Sequence, residues 1–146
     1  NRYFALVLDG LGGIQDQVHQ HLLDPLRLAG NQREAPEPLL DARSLAEYNG
    51  EKLFAHKAGH IPGAIHFEWT AAMDRTKNLR RLPAEQLQQQ LDSLGISKDK
   101  EIVCYCQSHH RSSLAYIMLK HLGYQRIRGY PGSWSAWGNH PDTPVD

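Results

Sequence analysis

Seven consecutive residues carry the chemistry this chain could do: Cys106, Gln107, Ser108, His109, His110, Arg111 and Ser112. An apolar run ends at Cys106 and helix-forming residues begin at Ser112. The thiol therefore sits where a buried strand gives way to the first turn of a helix. Unpaired N–H groups converge there, and the helix dipole favours the thiolate. A tight loop at that point can also curl its own N–H groups into a cradle for an anion. Arg111 closes the loop as a permanent cation, and no Asp or Glu lies near it in sequence to pair with it. Cys106 is predicted to be a low-pKa nucleophile facing an anion-binding pocket.

Loop length narrows the anion. Cysteine phosphatases also place Cys and Arg at the ends of a strand-to-helix loop, with five residues between them around a phosphate. Here four residues separate Cys106 from Arg111. The smaller cradle suits one extra sulfur on Cys106, so the expected covalent species is a persulfide. Cys104, two residues earlier on the same strand, reads as a buried core thiol. Cys104 and Cys106 lie too far apart on an extended strand to share one tetrahedral zinc with His109 and His110, so no metal is expected. Ser108 beside His109 lacks the Gly-x-Ser-x-Gly elbow of a hydrolase. His60 reads as a structural hydrogen-bonder, and Trp134 and Trp137 as packing residues.

The flanking sequence must position this loop. Residues 38–41 read as a short buried strand, and Ser44 with Glu47 as a capping box opening a helix that ends by Gly50. Residues 59–64 form a turn and 65–67 a strand. Pro83 begins a helix with Leu87, Leu91 and Leu94 on one face, stopped by Gly95. Residues 101–106 are a strand, and 112–121 a helix with Leu114, Ile117, Met118 and Leu122 at core spacing and Gly123 at its end. A last strand covers 125–128. Alternation of strand and helix predicts an α/β fold, a mainly parallel central sheet with helices on both faces, and ligands beyond the carboxyl ends of the strands. Residues 1–36 differ: Tyr3 to Leu8 is a short apolar run closed by Asp9, Ile14, Val18, Leu22 and Leu26 share a helical face broken at Pro25, and 31–38 is a polar, proline-bearing linker. Two parts are expected, an N-terminal segment over 1–36 and a catalytic domain over 37–146. Asn1 in place of Met suggests a trimmed chain or part of a larger one.

From about residue 39 to 145 the sequence resembles the rhodanese (sulfurtransferase) family. The resemblance rests on Leu40, Asp41, Ala42 and Arg43, on Glu47 and Tyr48, and on the 59–64 turn Gly-His-Ile-Pro-Gly-Ala. It continues through the Cys106 loop, Gly123 and Tyr124, Gly129 through Trp134, and the 137–145 ending. The loop and the ending are most similar to the catalytic C-terminal half of bacterial two-domain thiosulfate sulfurtransferases. The resemblance implies a rhodanese-like fold and a two-step reaction without a cofactor. Cys106 takes the outer sulfur of a small anionic donor such as thiosulfate, and the persulfide passes it to cyanide or a thiol. A sulfur-relay protein is a further partner it allows. By the family pattern the N–H groups from Gln107 to Ser112 hold the persulfide, Arg111 faces the anion, Asp41 and Arg43 hold the fold, and Trp69 lines the pocket entrance. Many members carry further Lys or Arg inside the loop. Gln107, Ser108, His109 and His110 occupy those places here, which implies weaker or pH-dependent thiosulfate binding. Residues 1–36 match no complete second domain.

Three alternatives use the same residues. A phosphatase or arsenate reductase of related architecture is disfavoured by the four-residue gap. A non-catalytic docking module commonly lacks the Cys, which is kept here. A sulfur carrier loaded by another enzyme cannot be separated from the sulfurtransferase by sequence.

Composition sets the surroundings. The chain has 146 residues, with 16 Lys and Arg against 16 Asp and Glu. A net charge of zero gives no global pull toward nucleic acid or anionic membrane, and no apolar run has the ~18 residues of a membrane span. Two cysteines with no disulfide partner geometry fit a reducing, cytoplasmic compartment. Zero is an average, however. Residues 102–141 hold no Asp or Glu but include Arg111, Lys120, Arg126 and Arg128, a segment of +4 that would lower the Cys106 pKa if gathered round the pocket.

Overall fold

The computed structural model describes residues 38–146. In chain order the elements are β1 (Leu39–Asp41), α1 (Leu45–Tyr48), β2 (Ile65–His66), a 3-10 helix (Trp69–Ala72), β3 (Met73–Asp74), β4 (Arg80–Arg81), α2 (Ala84–Ser93), β5 (Ile102–Tyr105), α3 (His110–His121), β6 (Ile127–Gly129) and α4 (Ser133–Trp137). The segments expected over 3–8, 14–26 and 31–37, and with them the proposed N-terminal part, lie outside the described residues.

β1 and β5 are buried at every position, the pattern of strands covered from both sides. They form the centre of a four-stranded, all-parallel sheet in the order β2-β1-β5-β6. Parallel neighbours need crossovers, and the helices between strands supply them. One consequence governs the site. Asp41 and Tyr105 are register partners, and Ala42 N–H extends the ladder to Tyr105 O at 2.9 Å. The chain leaving β1 toward α1 and the chain leaving β5 toward α3 therefore emerge side by side.

Alternation along the strands sorts the core. Leu40, Ala42, Ile102, Cys104 and Cys106 join one buried cluster with Phe67, Leu87, Leu91, Ala115, Met118 and Leu119. On the other face Arg43 lies over the rings of Trp134 and Tyr105, 4.5 and 5.7 Å from their centroids. Its guanidinium is fully buried against Asp41 (Nη2 to Oδ2, 2.6 Å) and also donates to Gly59 O at 2.8 Å. A buried charge is tolerated only when paired and hydrogen-bonded, and both partners here are. His60 takes a structural position, with Nδ1 2.9 Å from Tyr48 O and its ring stacked on Tyr48. Trp134 and Trp137 are buried packing residues.

Four local features differ from the sequence expectation. Helix α3 begins at His110, two residues before Ser112. Its buried face is Ser112, Ala115, Met118 and Leu119, whereas Ile117, expected in the core, is 62% exposed. The docking face carries the small Ser112 and Ala115 together with Met118 and Leu119, and this register leaves Ile117 facing outward. The β3–β4 hairpin was not anticipated, because its polar segment has no two-residue alternation; an Asp74 carboxylate accepting from Thr76 N–H (2.9 Å) and Oγ (2.6 Å) makes its turn. Helix α4 carries Trp134 and Trp137, which the sequence presents only as packing residues.

Candidate active site

The Cys106 loop hangs from α4. Trp134 N–H donates to Cys106 O at 2.9 Å, and Ser135 donates to Gln107 O through its N–H (3.0 Å) and hydroxyl (2.5 Å). Cys106 N–H donates to Ser133 Oγ at 3.3 Å. Ser133 itself sits at φ 48°, a left-handed backbone that costs energy for any residue with a Cβ. These contacts fix the point where the strand turns into the loop.

The sulfur of Cys106 is buried, and Ser112 Oγ donates to it at 3.5 Å. Burial is the largest single influence on this thiol and pushes its pKa up. The Ser112 hydroxyl and the N–H groups of Ser112, Ser108 and Arg111 more than offset it, so the pKa falls below the ordinary thiol value. Cys104, two residues back, has burial alone acting on it and is pushed up to about 12. The same strand thus carries one thiol poised to ionise and one held neutral. Both are free.

Arg111 does have a carboxylate partner. Its Nη1 and Nη2 donate to Glu47 Oε2 and Oε1 at 2.6 and 2.7 Å. The neighbouring sequence shows no such partner because Glu47 lies 64 residues away on α1. The shared exit of β1 and β5 brings the two together. Glu47 is also the capping-box residue, accepting from Ser44 N–H (3.1 Å) and Oγ (2.7 Å). Burial raises the Glu47 pKa most, but Arg111 and Ser44 together pull it down from 4.5 to about 2. The Glu47 hydrogen bonds are in turn the main reason the Arg111 pKa is raised, and the charge on Cys106 adds to it. Glu47 reads in the sequence as a helix cap and a signature residue, and the structure adds it to the site through Arg111.

The remaining loop residues take distinct positions. Gln107 Nε2 donates to Phe54 O at 3.1 Å. Ser108 and His110 are exposed and meet each other, Oγ to Nδ1 at 3.0 Å. His109 is half-buried, at φ 68°, with Nδ1 2.7 Å from Ser112 Oγ. Trp69 opens the 3-10 helix that packs against α3, partly buried at the edge of the cluster that holds Cys106. Among the described residues no three His, Cys, Asp or Glu side chains are grouped to hold a metal ion.

The +4 segment is not gathered round the sulfur. Arg126 and Arg128 both pair with Glu101, which precedes β5 at the end of the sheet opposite Cys106. Lys120 lies at the far end of α3, donating to Gln125 O. Of the four cations only Arg111 reaches the site, and Glu47 shares its charge. The thiol is therefore lowered by local hydrogen-bond donors, not by a broad positive field.

Comparison with known proteins agrees with this geometry. A rhodanese-like domain model matches residues 24–140, beginning ahead of the boundary expected at 37. A thiosulfate sulfurtransferase of Azotobacter vinelandii is 56% identical over 119 residues, covering 82% of this chain and 43% of its own length. One from Pseudomonas aeruginosa is 57% identical over 106 residues, covering 73% and 38%. A sulfur carrier protein of Thermus thermophilus is 35% identical, covering 94% of this chain and 48% of its own. The chain spans less than half the length of these curated relatives. Among solved structures, the anaerobic ergothioneine biosynthesis enzyme from Chlorobium limicola superposes with a TM-score of 0.72 at 25% identity, over 82% of this chain and 30% of that one.

Proposed function

The chain belongs to the rhodanese family, and on that premise we propose that it is a sulfurtransferase working through a persulfide on Cys106. The observation that carries the reading is the Cys106 sulfur itself, at a strand end, with the Ser112 hydroxyl and the N–H groups of Ser108, Arg111 and Ser112 acting on it. Such a site stabilises a sulfur anion without any cofactor.

In the first step the Cys106 thiolate attacks the outer sulfur of thiosulfate or a similar small anionic donor. The donor S–S bond breaks, its electron pair leaves with sulfite, and Cys106 holds the transferred sulfur as a persulfide anion. The N–H groups from Gln107 to Ser112 cradle that sulfur, Arg111 orients the incoming anion, and Trp69 lines the entrance. In the second step cyanide or a thiol attacks the outer sulfur and restores the thiolate. The thiosulfate sulfurtransferases of Azotobacter vinelandii and Pseudomonas aeruginosa, both bacterial, support this donor class. The unit Glu37–Asp146 carries every residue named in these steps and is taken as the catalytic domain. Two free thiols fit the cytoplasm, and no described helix is long and apolar enough to cross a membrane.

A second reading has its own support. The Thermus thermophilus relative covering 94% of the chain is named a sulfur carrier, so Cys106 could receive its sulfur from a relay protein and hand it on. Intact-mass measurement after mixing with thiosulfate tests the first reading. The expected result is a gain of one sulfur, lost on adding cyanide and absent in Cys106→Ser. No gain from several small donors, with loading only from a persulfide-bearing protein, replaces it with the carrier reading. No loading from either sinks both.

A further inference from the structure

His109 occupies a place where its own backbone works against it. Its φ of 68° is left-handed, which glycine adopts freely and histidine does not. The fold also clears space for its ring: a Cβ on Gly129 of β6 would collide with His109 Cε1 and Nε2. Strain kept in a catalytic loop, together with a neighbour reduced to glycine, indicates that the side chain has a task. Its Nδ1 lies 2.7 Å from the Ser112 hydroxyl.

We propose that His109 is a positioning residue that acts on Cys106 through Ser112, as the first link of a two-step hydrogen-bond chain. Proton accounting fixes the direction. Ser112 has one hydroxyl proton and gives it to the Cys106 sulfur at 3.5 Å. Its oxygen must then accept from His109, so Nδ1 carries the ring proton and Nε2 does not. The His109 N–H locks the Ser112 hydroxyl in the rotamer that faces the thiolate, and polarises it. Burial first, and His110 second, lower the His109 pKa, which keeps the ring neutral and the chain in one protonation state at pH 7. The charged or titratable groups around the pair are Arg111, held by Glu47, and His110. On β6 Gly129 meets the His109 ring, and the neighbouring Arg128 is paired with Glu101.

The role deepens the persulfide reading and rests on it, but its test does not require sulfur transfer. The Cys106 thiolate is titrated by its ultraviolet absorbance, taken as the difference from Cys106→Ser. His109→Gly relieves the backbone and removes the donor; its midpoint is expected to rise by about half to one pH unit. His109→Asn tolerates the same backbone and offers a side-chain N–H near the Nδ1 position, so its midpoint is expected to stay near wild type. Gly129→Ala displaces the ring and is expected to raise the midpoint in the wild-type background but not in His109→Gly. If His109→Gly leaves the midpoint in place, or His109→Asn moves it equally, or Gly129→Ala acts the same in both backgrounds, the relay is wrong. Sulfur loading by mass remains a separate result in every case.

Discussion

Glu47 and Arg111 meet in a two-point fork, with N–O distances of 2.6 and 2.7 Å, while the same carboxylate caps α1 through Ser44. A helix cap and the orientation of the loop-closing arginine are thus one structural unit. The guanidinium keeps further N–H groups for an incoming anion, and its position is set by an element that leaves the sheet beside it.

Glu47→Gln should separate these roles. The amide still accepts from Ser44 but cannot match both guanidinium nitrogens. Arg111 is 27% exposed and Glu47 only 6%, so the loss falls between surface and buried pairs, about 2 kcal/mol. Urea unfolding should show that loss, and the KM for thiosulfate should rise several-fold because Arg111 is no longer held. An unchanged KM would remove Arg111 positioning from the mechanism.

Glu47 also sets an acid limit. Its pKa is about 2 in the folded protein against an ordinary 4.5, so the unfolded chain binds the proton more tightly. Stability from this group is complete above pH 4.5 and lost as pH falls toward 2, at most about 3 kcal/mol. Wild type should lose stability steeply over that window, and Glu47→Gln should lose less. Parallel acid curves for the two proteins would contradict the assignment.

The nucleophile predicts a pH profile. The Cys106 thiol lies below its ordinary pKa because the Ser112 hydroxyl and the loop N–H groups outweigh burial. The value of kcat/KM for thiosulfate should rise through one ionisation with a midpoint below the free-thiol value of about 8.5, then level off. Ser112→Ala should move that midpoint upward. A midpoint at or above the free-thiol value would mean that burial wins.

Much of this was legible in sequence because it is local. The Cys106 loop, the Ser44–Glu47 capping box, the strands around Leu40 and Val103 and the stop at Gly95 follow from neighbouring residues. What escaped depends on distant packing. The partner of Arg111 comes from α1, the anchors of the loop come from Ser133 to Ser135, and the buried face of α3 combines Ser112 and Ala115 with Met118 and Leu119 while Ile117 faces outward. The +4 segment failed for the same reason: charges within one stretch of sequence lie at opposite ends of one sheet, and Glu101 takes two of them.

Cys104 gives the sharpest control. It is fully buried in the core cluster, with burial alone raising its pKa to about 12, and it shares a strand face with Cys106. A thiol held neutral cannot attack a donor, nor resolve a persulfide at a useful rate. Cys104→Ala should therefore load and release sulfur within about two-fold of wild type while losing about 1 kcal/mol of stability from the small cavity. Mass analysis of the loaded protein should find the added sulfur on the 106 position in both. A large fall in turnover with unimpaired loading would instead give Cys104 a part in removing the sulfur, through transient opening of the strand end where the two thiols share a face.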